Sequence, residues 1–327
     1  MFNLVKNEWI KNILRPGTYI MLALIILLFI ASAVLSHFTT TDSMTKSYGS
    51  DWKSEVQTDI KDYSVKLEKL GKKDPEKLSF EEIMEQANMQ QELARLQFYL
   101  DKNVQPPAAA SVYSSLLEIS PIITFIALMV VVITGSLMSR EHQLGTIKLL
   151  MIRPASRLKI FFSKYILALI TAVLFTGFTY IVAAIFAFAT KVHNPTGKLA
   201  LLNSAGEYRM IDFWPFFWKI VGNDLIFVVI FATIAYAMSV ICRNTAAAQG
   251  ITLGLLFLSG LVISLLSSRT ELVKYLWPAN WSLNQYLTGT SPVKGMTYAF
   301  SFGYNVVAVV LLIGLAAYIF KKRDIAN

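Results

Sequence analysis

Long stretches with few or no charged side chains alternate along this chain with segments that hold most of the charge. Six apolar stretches are long enough to cross a bilayer: 17–36, 119–138, 160–190, 216–242, 246–266 and 298–320. Crossing ~30 Å of hydrocarbon as a helix takes roughly 20 apolar residues, and each stretch supplies them. A soluble bundle would instead repeat apolar residues every third or fourth position, with polar ones between. The pattern predicts an all-α polytopic membrane protein with six transmembrane helices.

The connecting segments carry their own patterns. In 1–16, Phe2, Leu4, Val5, Trp9, Ile10 and Ile13 fall on one helical face. This predicts an interfacial helix, with Trp9 at headgroup depth and Lys6 and Lys11 facing phosphates. Ala31-Ser32-Ala33 looks like a signal-peptidase site, but the long amphipathic region before the apolar run favours an uncleaved anchor. In 37–118, Val56, Ile60, Tyr63, Leu67 and Leu70 form one helical seam, and Ile83, Ala87, Leu93, Leu96 and Leu100 a second. Gly71-Lys72-Lys73-Asp74-Pro75 separates them and Pro106-Pro107 follows. The expectation is a helical hairpin after the first span that packs on itself or on a partner. Residues 191–215 read as a plain loop. The segment 267–297, with Trp277, Pro278-Ala279-Asn280 and Trp281, is either a re-entrant dip or an amphipathic surface loop.

Charge sets the orientation. Short loops retain lysine and arginine on the cytoplasmic side. With the N-terminus inside, residues 1–16, 139–164, the turn at Arg243 and the tail 321–327 hold thirteen Lys/Arg against three acids, and the outer segments balance near zero. Both termini are therefore expected in the cytoplasm of a cell membrane, and the lysine-rich composition points to a bacterium. The same distribution explains the net charge of +9 without nucleic acid, since no basic stripe interleaved with aromatics lies outside these loops. One cysteine, Cys242, excludes a disulfide framework and Cys-based metal sites.

The most informative segment is 139–159, between the second and third spans. It reads Ser139-Arg140-Glu141-His142-Gln143-Leu144-Gly145-Thr146-Ile147-Lys148-Leu149-Leu150-Met151-Ile152-Arg153-Pro154-Ala155-Ser156-Arg157-Leu158-Lys159. A short helix is expected to end at Arg153, because Pro154 disfavours helical conformation in the residue before it. Ser156 would cap the next helix. Leu144, Ile147 and Met151 would lie on the membrane or bundle, with Glu141 and Lys148 facing the cytoplasm.

The order Arg140-Glu141, Gly145-Thr146-Ile147, Leu149-Leu150, Arg153-Pro154, Arg157 and Lys164 resembles the loop of ABC-2 type transporter permeases. The tail Phe320-Lys321-Lys322-Arg323-Asp324-Ile325 resembles the usual ending of that family, and the layout of the whole chain is similar to its members. The resemblance implies a coupling helix seated in the groove of a separate ATP-binding subunit, present in two copies and holding ATP and Mg. It also implies a second permease copy or paralogue. Glu141 would bond to the ATPase groove, Gly145 would allow close approach beside Thr146, and Lys148, Arg153, Pro154, Arg157 and Lys159 would complete the contact with acidic groups or lipid phosphates. A hydrophobic or amphipathic cargo (antibiotic, antimicrobial peptide or lipid-like compound) suits the apolar spans.

Other classes find less in the chain. No G-x-x-x-x-G-K-[ST] loop occurs, so the chain is expected to bind no nucleotide or other cofactor itself. His37, His142 and His193 fall in three different loops, and no hydrolase or metalloprotease motif appears; neither a catalytic nor a metal site is expected. An ion-coupled carrier would place several ionisable groups in the membrane. This chain offers Asp224, beside Asn223, which either lines a pathway or pairs with Lys219. A membrane sensor or scaffold with an extracellular helical domain is the third class, and it needs no structured loop at 139–159.

Overall fold

The computed structural model describes residues 2–39, 45–72, 79–147, 155–204, 206–291, 293 and 295–322. Its elements are α1 (Phe2–Ile13), α2 (Pro16–Thr39), α3 (Trp52–Gly71), α4 (Phe80–Asp101), α5 (Val112–Leu117), α6 (Ser120–Thr134), α7 (Ser139–Gln143) and α8 (Arg157–Thr190). They continue with β1 (Lys198–Leu202), β2 (Tyr208–Asp212), α9 (Phe213–Cys242), α10 (Thr245–Ser267), α11 (Gln285–Thr288) and α12 (Tyr298–Lys322). Among the described residues, six helical stretches are long and apolar enough to cross a membrane: α2, the run containing α6, α8, α9, α10 and α12. Their outward faces agree with that reading. Leu35, Leu258, Leu261, Leu265, Val310 and Leu311 are each more than 60% exposed, an apolar exterior that water would not tolerate.

The chain divides into two compact units. The first holds Met1–Ser32, Ile119–Ala184 and Lys219–Asn327. At one end of its bundle Phe161, Leu167, Tyr236, Val240, Ala316 and Phe320 form a buried cluster, with Trp9 and Leu158 packed against it. The Phe161 ring lies 5.3 Å from Tyr236 and 5.9 Å from Phe320. A phenol buried among rings needs an acceptor. Tyr236 finds one by donating to the Phe161 carbonyl at 2.7 Å, which ties α9 to α8.

The helix expected over 119–138 stops earlier, at Thr134, and residues 135–138 turn. Side chains from two neighbouring helices take over there. Gln249 of α10 donates to the Val132 carbonyl at 2.8 Å, and Ser239 of α9 accepts from the Met138 and Ser139 amides at 3.0 and 2.8 Å. Gly135 lets Gln249 in: a Cβ at that position would lie 3.0 Å from Gln249 Cγ. Inserted side chains are a recognised cause of helix breaks.

The segment 267–297 is built of two 3-10 turns, Glu271–Tyr275 and Trp277–Asn280, followed by α11. Its backbone is protected by protein. Asn280 is fully buried, donates to the Lys274 and Leu276 carbonyls at 2.9 Å each, and its own carbonyl accepts from Asn305 of α12 at 2.6 Å. Trp281 packs on Phe231 of α9 with ring centroids 4.8 Å apart.

The second unit holds Ala33–Glu118 and Ile185–Trp218. Here α3 and α4 pack together, with Val56, Leu96 and Tyr99 buried. A capping box at Ser79 and Glu82 starts α4, where the Ser79 amide donates to Glu82 at 3.0 Å and the Glu82 amide to Ser79 at 3.2 Å. The expected second seam is corrected in its first half: Ile83 is 47% exposed and Ala87 exposed, while Met89 is half-buried. At about 100° per residue, Ala87 stands on the opposite side of the helix from Leu96. Residues 191–215 are also more than a loop. β1 and β2 form an antiparallel pair in the register Lys198↔Asp212 to Leu202↔Tyr208, so the all-α expectation acquires one small sheet. Tyr99 accepts from the Ala200 amide at 2.7 Å, and Tyr208 donates to the Gln91 carbonyl at 3.0 Å, holding the hairpin on α4.

Candidate functional site

The loop singled out in the sequence begins with α7, a helix of five residues. It does not run on unbroken towards Arg153. Leu144 turns, and Gly145 adopts φ +69°, a left-handed conformation that an L side chain disfavours. Ile147 is helical again and 4% exposed. Lys148, Arg153 and Pro154, with Met151, lie outside the described residues. Leu144, expected on the membrane or the bundle, is 64% exposed and so is not packed inside the bundle.

Glu141 is corrected most. Expected to face outward, it is 6% exposed and bonded on the inside. Lys11 of α1 reaches its Oε1 at 2.7 Å, and Lys164 of α8 approaches the same oxygen at 3.4 Å. The Thr146 hydroxyl donates to Oε2. Lys164 also bonds Glu8 of α1 at 2.7 Å, so two acids and two amines form one network across α1, α7 and α8. The physical reason is Lys164 itself, 1% exposed. A buried ammonium group must find carboxylates, and Glu141 and Glu8 are the two that reach it.

The rest of the site frames this network. Ser139 and Thr245 share a hydroxyl–hydroxyl bond of 2.8 Å, and Thr245 donates to Gln143 at 2.8 Å, which fastens α7 to the start of α10. Ser156 accepts from the Lys159 amide at 3.3 Å, the cap expected for the next helix. Arg157 donates to the Lys321 carbonyl at 3.3 Å near the end of α12, and Lys159 is exposed. Glu141, Thr146 and Lys164 are thus brought together, whereas Arg157 and Lys159 stand apart. Sequence reasoning missed Glu8 and Lys11 as members. Their three-residue spacing on α1 puts an acid and a base on neighbouring positions of one face, the only signal available.

Asp224 and Asn223 belong to a second polar cluster, inside the bundle. Asp224 is 4% exposed and accepts from the Tyr180 hydroxyl at 2.5 Å and from Asn284 at 2.7 Å. Asn223 donates to Asn284 at 3.0 Å and accepts from Tyr298 at 2.9 Å. The chain of donors joins α8, α9, the turn before α11 and the start of α12. A lone acid in an apolar run demands such donors, but nothing in its neighbourhood in sequence names Tyr180, Asn284 or Tyr298. Among the described residues no group of three or more His, Cys, Asp or Glu is placed to hold a metal ion.

Six long apolar helices with an apolar exterior, and polar groups gathered into internal networks, define a helical membrane protein. Within that class, the chain belongs to the family described as "Protein of unknown function (DUF2705)", whose model matches residues 82–326. It is 28% identical over 334 residues, covering all of both chains, to the uncharacterized protein YhcI of Bacillus subtilis (strain 168). It is 27% identical over 200 residues to the uncharacterized membrane protein YdbK of the same organism, covering 60% of this chain and 76% of that one.

Proposed function

We propose that this chain is the transmembrane permease subunit of an ATP-driven exporter, working with a separate ATP-binding subunit and a second permease copy or paralogue. The observation that carries the reading is the Glu8–Lys164–Glu141–Lys11 network. It ties a short helix outside the apolar spans to the N-terminal helix and to the long span α8. A push on α7 would then move α8 directly, which a loop that only sets topology does not require. The residue order of the loop, with its resemblance to ABC-2 type permeases, supplies the identity of the motor. Multi-pass insertion with both termini in the cytoplasm is part of the proposal, since the motor consumes cytoplasmic ATP.

The role given to Glu141 changes accordingly. It acts inside the permease, as the link between loop and span, and contact with the ATPase falls to exposed positions such as Leu144. Cargo would be a hydrophobic or amphipathic compound, entering between helices whose surfaces are apolar. An ion-coupled carrier has Asp224 as its candidate, but Tyr180 and Asn284 already donate to that carboxylate, one to each oxygen.

The test is co-purification of the full chain with an ATP-binding-cassette protein encoded beside it, followed by ATPase measurement in proteoliposomes. Leu144→Glu should lower complex yield or ATPase stimulation at least fivefold while leaving membrane insertion intact. A chain that transports solute alone, or an ATPase indifferent to its presence, would refute the proposal.

A further inference from the structure

The hairpin of the second unit has two edges, and its bonds show which groups each edge presents. In an antiparallel pair, residues that exchange both backbone bonds with their partner alternate with residues whose N–H and C=O point away from it. The Phe213 amide donates to the Gly197 carbonyl at 2.9 Å, and the Asn203 amide to the Glu207 carbonyl at 2.9 Å, so the register begins and ends on bonded pairs. Alternation then makes Leu199↔Ile211 and Leu201↔Arg209 bonded pairs, and Lys198↔Asp212, Ala200↔Met210 and Leu202↔Tyr208 unbonded ones. Tyr208, Met210 and Asp212 therefore turn their amides and carbonyls to the outer side of β2. Lys198, Ala200 and Leu202 do the same on β1.

The two edges are finished differently. β1 lies against α4, and its central outward amide, that of Ala200, is taken by the Tyr99 phenol at 2.7 Å. On β2, among the described residues, the outward amides and carbonyls of Tyr208, Met210 and Asp212 have no hydrogen-bond partner. Edges that face only water are normally guarded by a proline, a bulge or charges along the strand. β2 has no proline, pairs with β1 without a bulge, and carries the uncharged Met210 at its centre.

This edge is complementary to itself in one register. Two copies of β2 can run antiparallel across a two-fold axis, with their outward groups facing, when the axis passes through a residue of the strand. An axis at Arg209 or Asp212 sets like charges directly opposite each other, which is unfavourable. An axis at Tyr208 or Ile211 leaves part of the edge beyond the end of the other strand. An axis at Met210 places Met210 opposite the Met210 of the second copy, and Tyr208 opposite its Asp212. Every outward amide and carbonyl of both strands then has a partner, and Arg209 lies opposite an isoleucine rather than a cation. Each copy of a membrane chain also carries β2 on the same side of the bilayer and at the same distance from it. The second copy thus meets the edge at an effective concentration that a free peptide does not reach.

We infer that β2 is a docking edge for the β2 of a second copy of this chain, giving a continuous antiparallel sheet in the order β1-β2-β2-β1 with Met210 on the two-fold axis. The inference goes beyond the exporter reading and stands whether or not an ATPase drives the pair.

The experiment is cysteine cross-linking of the full chain in membranes, in a Cys242→Ser background with copper phenanthroline as oxidant. Residues opposite each other in a bonded pair have Cα atoms about 5.5 Å apart, within the span of a disulfide. At about 3.4 Å per residue, Tyr208 lies roughly 14 Å along the strand from its own copy. Met210→Cys should therefore give at least fivefold more covalent dimer than Tyr208→Cys, Asp212→Cys or Lys198→Cys. Co-expressed Tyr208→Cys and Asp212→Cys chains should cross-link to each other as well as Met210→Cys does to itself, which fixes the register. Adding Met210→Pro to both of those chains removes an outward N–H that β1 does not use, and should lower their yield at least fivefold. Thermal melting of the purified proline variant controls for folding, and Met210→Lys, which sets like charges on the axis, serves where it does not fold. Equal yields at all four positions, no dimer from Met210→Cys, its cross-linking to a different protein, or failure of the Tyr208→Cys and Asp212→Cys pair would each overturn the assignment. None of these outcomes depends on ATPase stimulation, so failure here leaves the exporter reading in place, with a paralogue or another surface joining the two permeases.

Discussion

Replacing Lys164 by methionine tests the ion network most directly. The side chain keeps its length and packing but loses the ammonium group that lies 2.7 Å from Glu8 and 3.4 Å from Glu141. At an effective dielectric of 20, two unit charges at such distances attract by about 5–6 kcal/mol each, most of which offsets the desolvation of buried groups. The loss is therefore set by what remains behind. Glu141 keeps Lys11 and the Thr146 hydroxyl, so it stays compensated. Glu8, with its side chain 14% exposed, loses its salt-bridge partner and keeps only the longer-range attraction of Arg15. Breaking one partner out of a buried pair costs roughly 3–5 kcal/mol. Because Glu8 keeps some access to water, about 2–3 kcal/mol is expected here. Lys11→Met removes a cation whose side chain is 52% exposed and should cost about 1 kcal/mol or less. Adding Glu8→Gln to Lys164→Met should return at least half of the loss, because the stranded charge is gone. Melting midpoints of the four proteins in one detergent, ranked at one scan rate, provide the readout. If Lys164→Met and Lys11→Met melt together, or if Glu8→Gln gives no rescue, the network is not the joint described here.

Three further outcomes are expected. Gly145→Ala meets no steric obstacle, since nothing lies within 4 Å of a Cβ there, so its effect should come from the positive φ alone: about 1 kcal/mol of destabilisation, and less for Gly145→Asn, measured by thermal or denaturant unfolding. Asp224→Leu leaves the Tyr180 hydroxyl and the Asn284 amide without their acceptor and should destabilise by about 2–4 kcal/mol, whereas Asp224→Asn, which still accepts one bond, should cost less than half of that; equal losses would show that the donors do not matter. In a Cys242→Ser background, cysteine at Leu144 should react with a membrane-impermeant maleimide only after cells are opened, and cysteine at Lys46 in intact cells; the reverse pattern would invert the proposed orientation.

The spans were readable because a bilayer imposes its demand on blocks of twenty residues, and composition alone reveals such blocks. Breaks within them were harder to see. Nothing local to Gly135-Ser136 announces that the helix stops at Thr134, since the cause is Gln249 and Ser239, both more than one hundred residues away. The hairpin of β1 and β2 escaped for a related reason. Leu199-Ala200-Leu201-Leu202 shows no polar alternation, and its pairing with 208–212 is anchored by Tyr99 from α4. In α4 the apolar residues Ile83 and Ala87 suggested a buried face that packing against α3 does not use.

The misreading of Glu141 follows from the same cause and leads to the mechanism. A charged residue in a short loop beyond the membrane is normally a solvated one, and its neighbours Arg140 and Lys148 fit that rule by type. What a single sequence hides is that Lys164, one turn inside the third span, has no water to face. A buried ammonium group forces its counter-charges inward. Glu141 and Glu8 then cease to be surface groups and become the joint through which α1, α7 and α8 hold one another. A joint made of ions rather than of side-chain packing has a further property. Its members attract over several ångströms, so α7 can shift by a fraction of a turn without releasing α8, whereas a close-packed apolar contact loses much of its attraction over a gap of about 1 Å. That tolerance suits the role proposed above, in which the loop would move with each catalytic cycle of a partner ATPase. It also accounts for two acids and two lysines standing within reach of one another where α1, α7 and α8 meet.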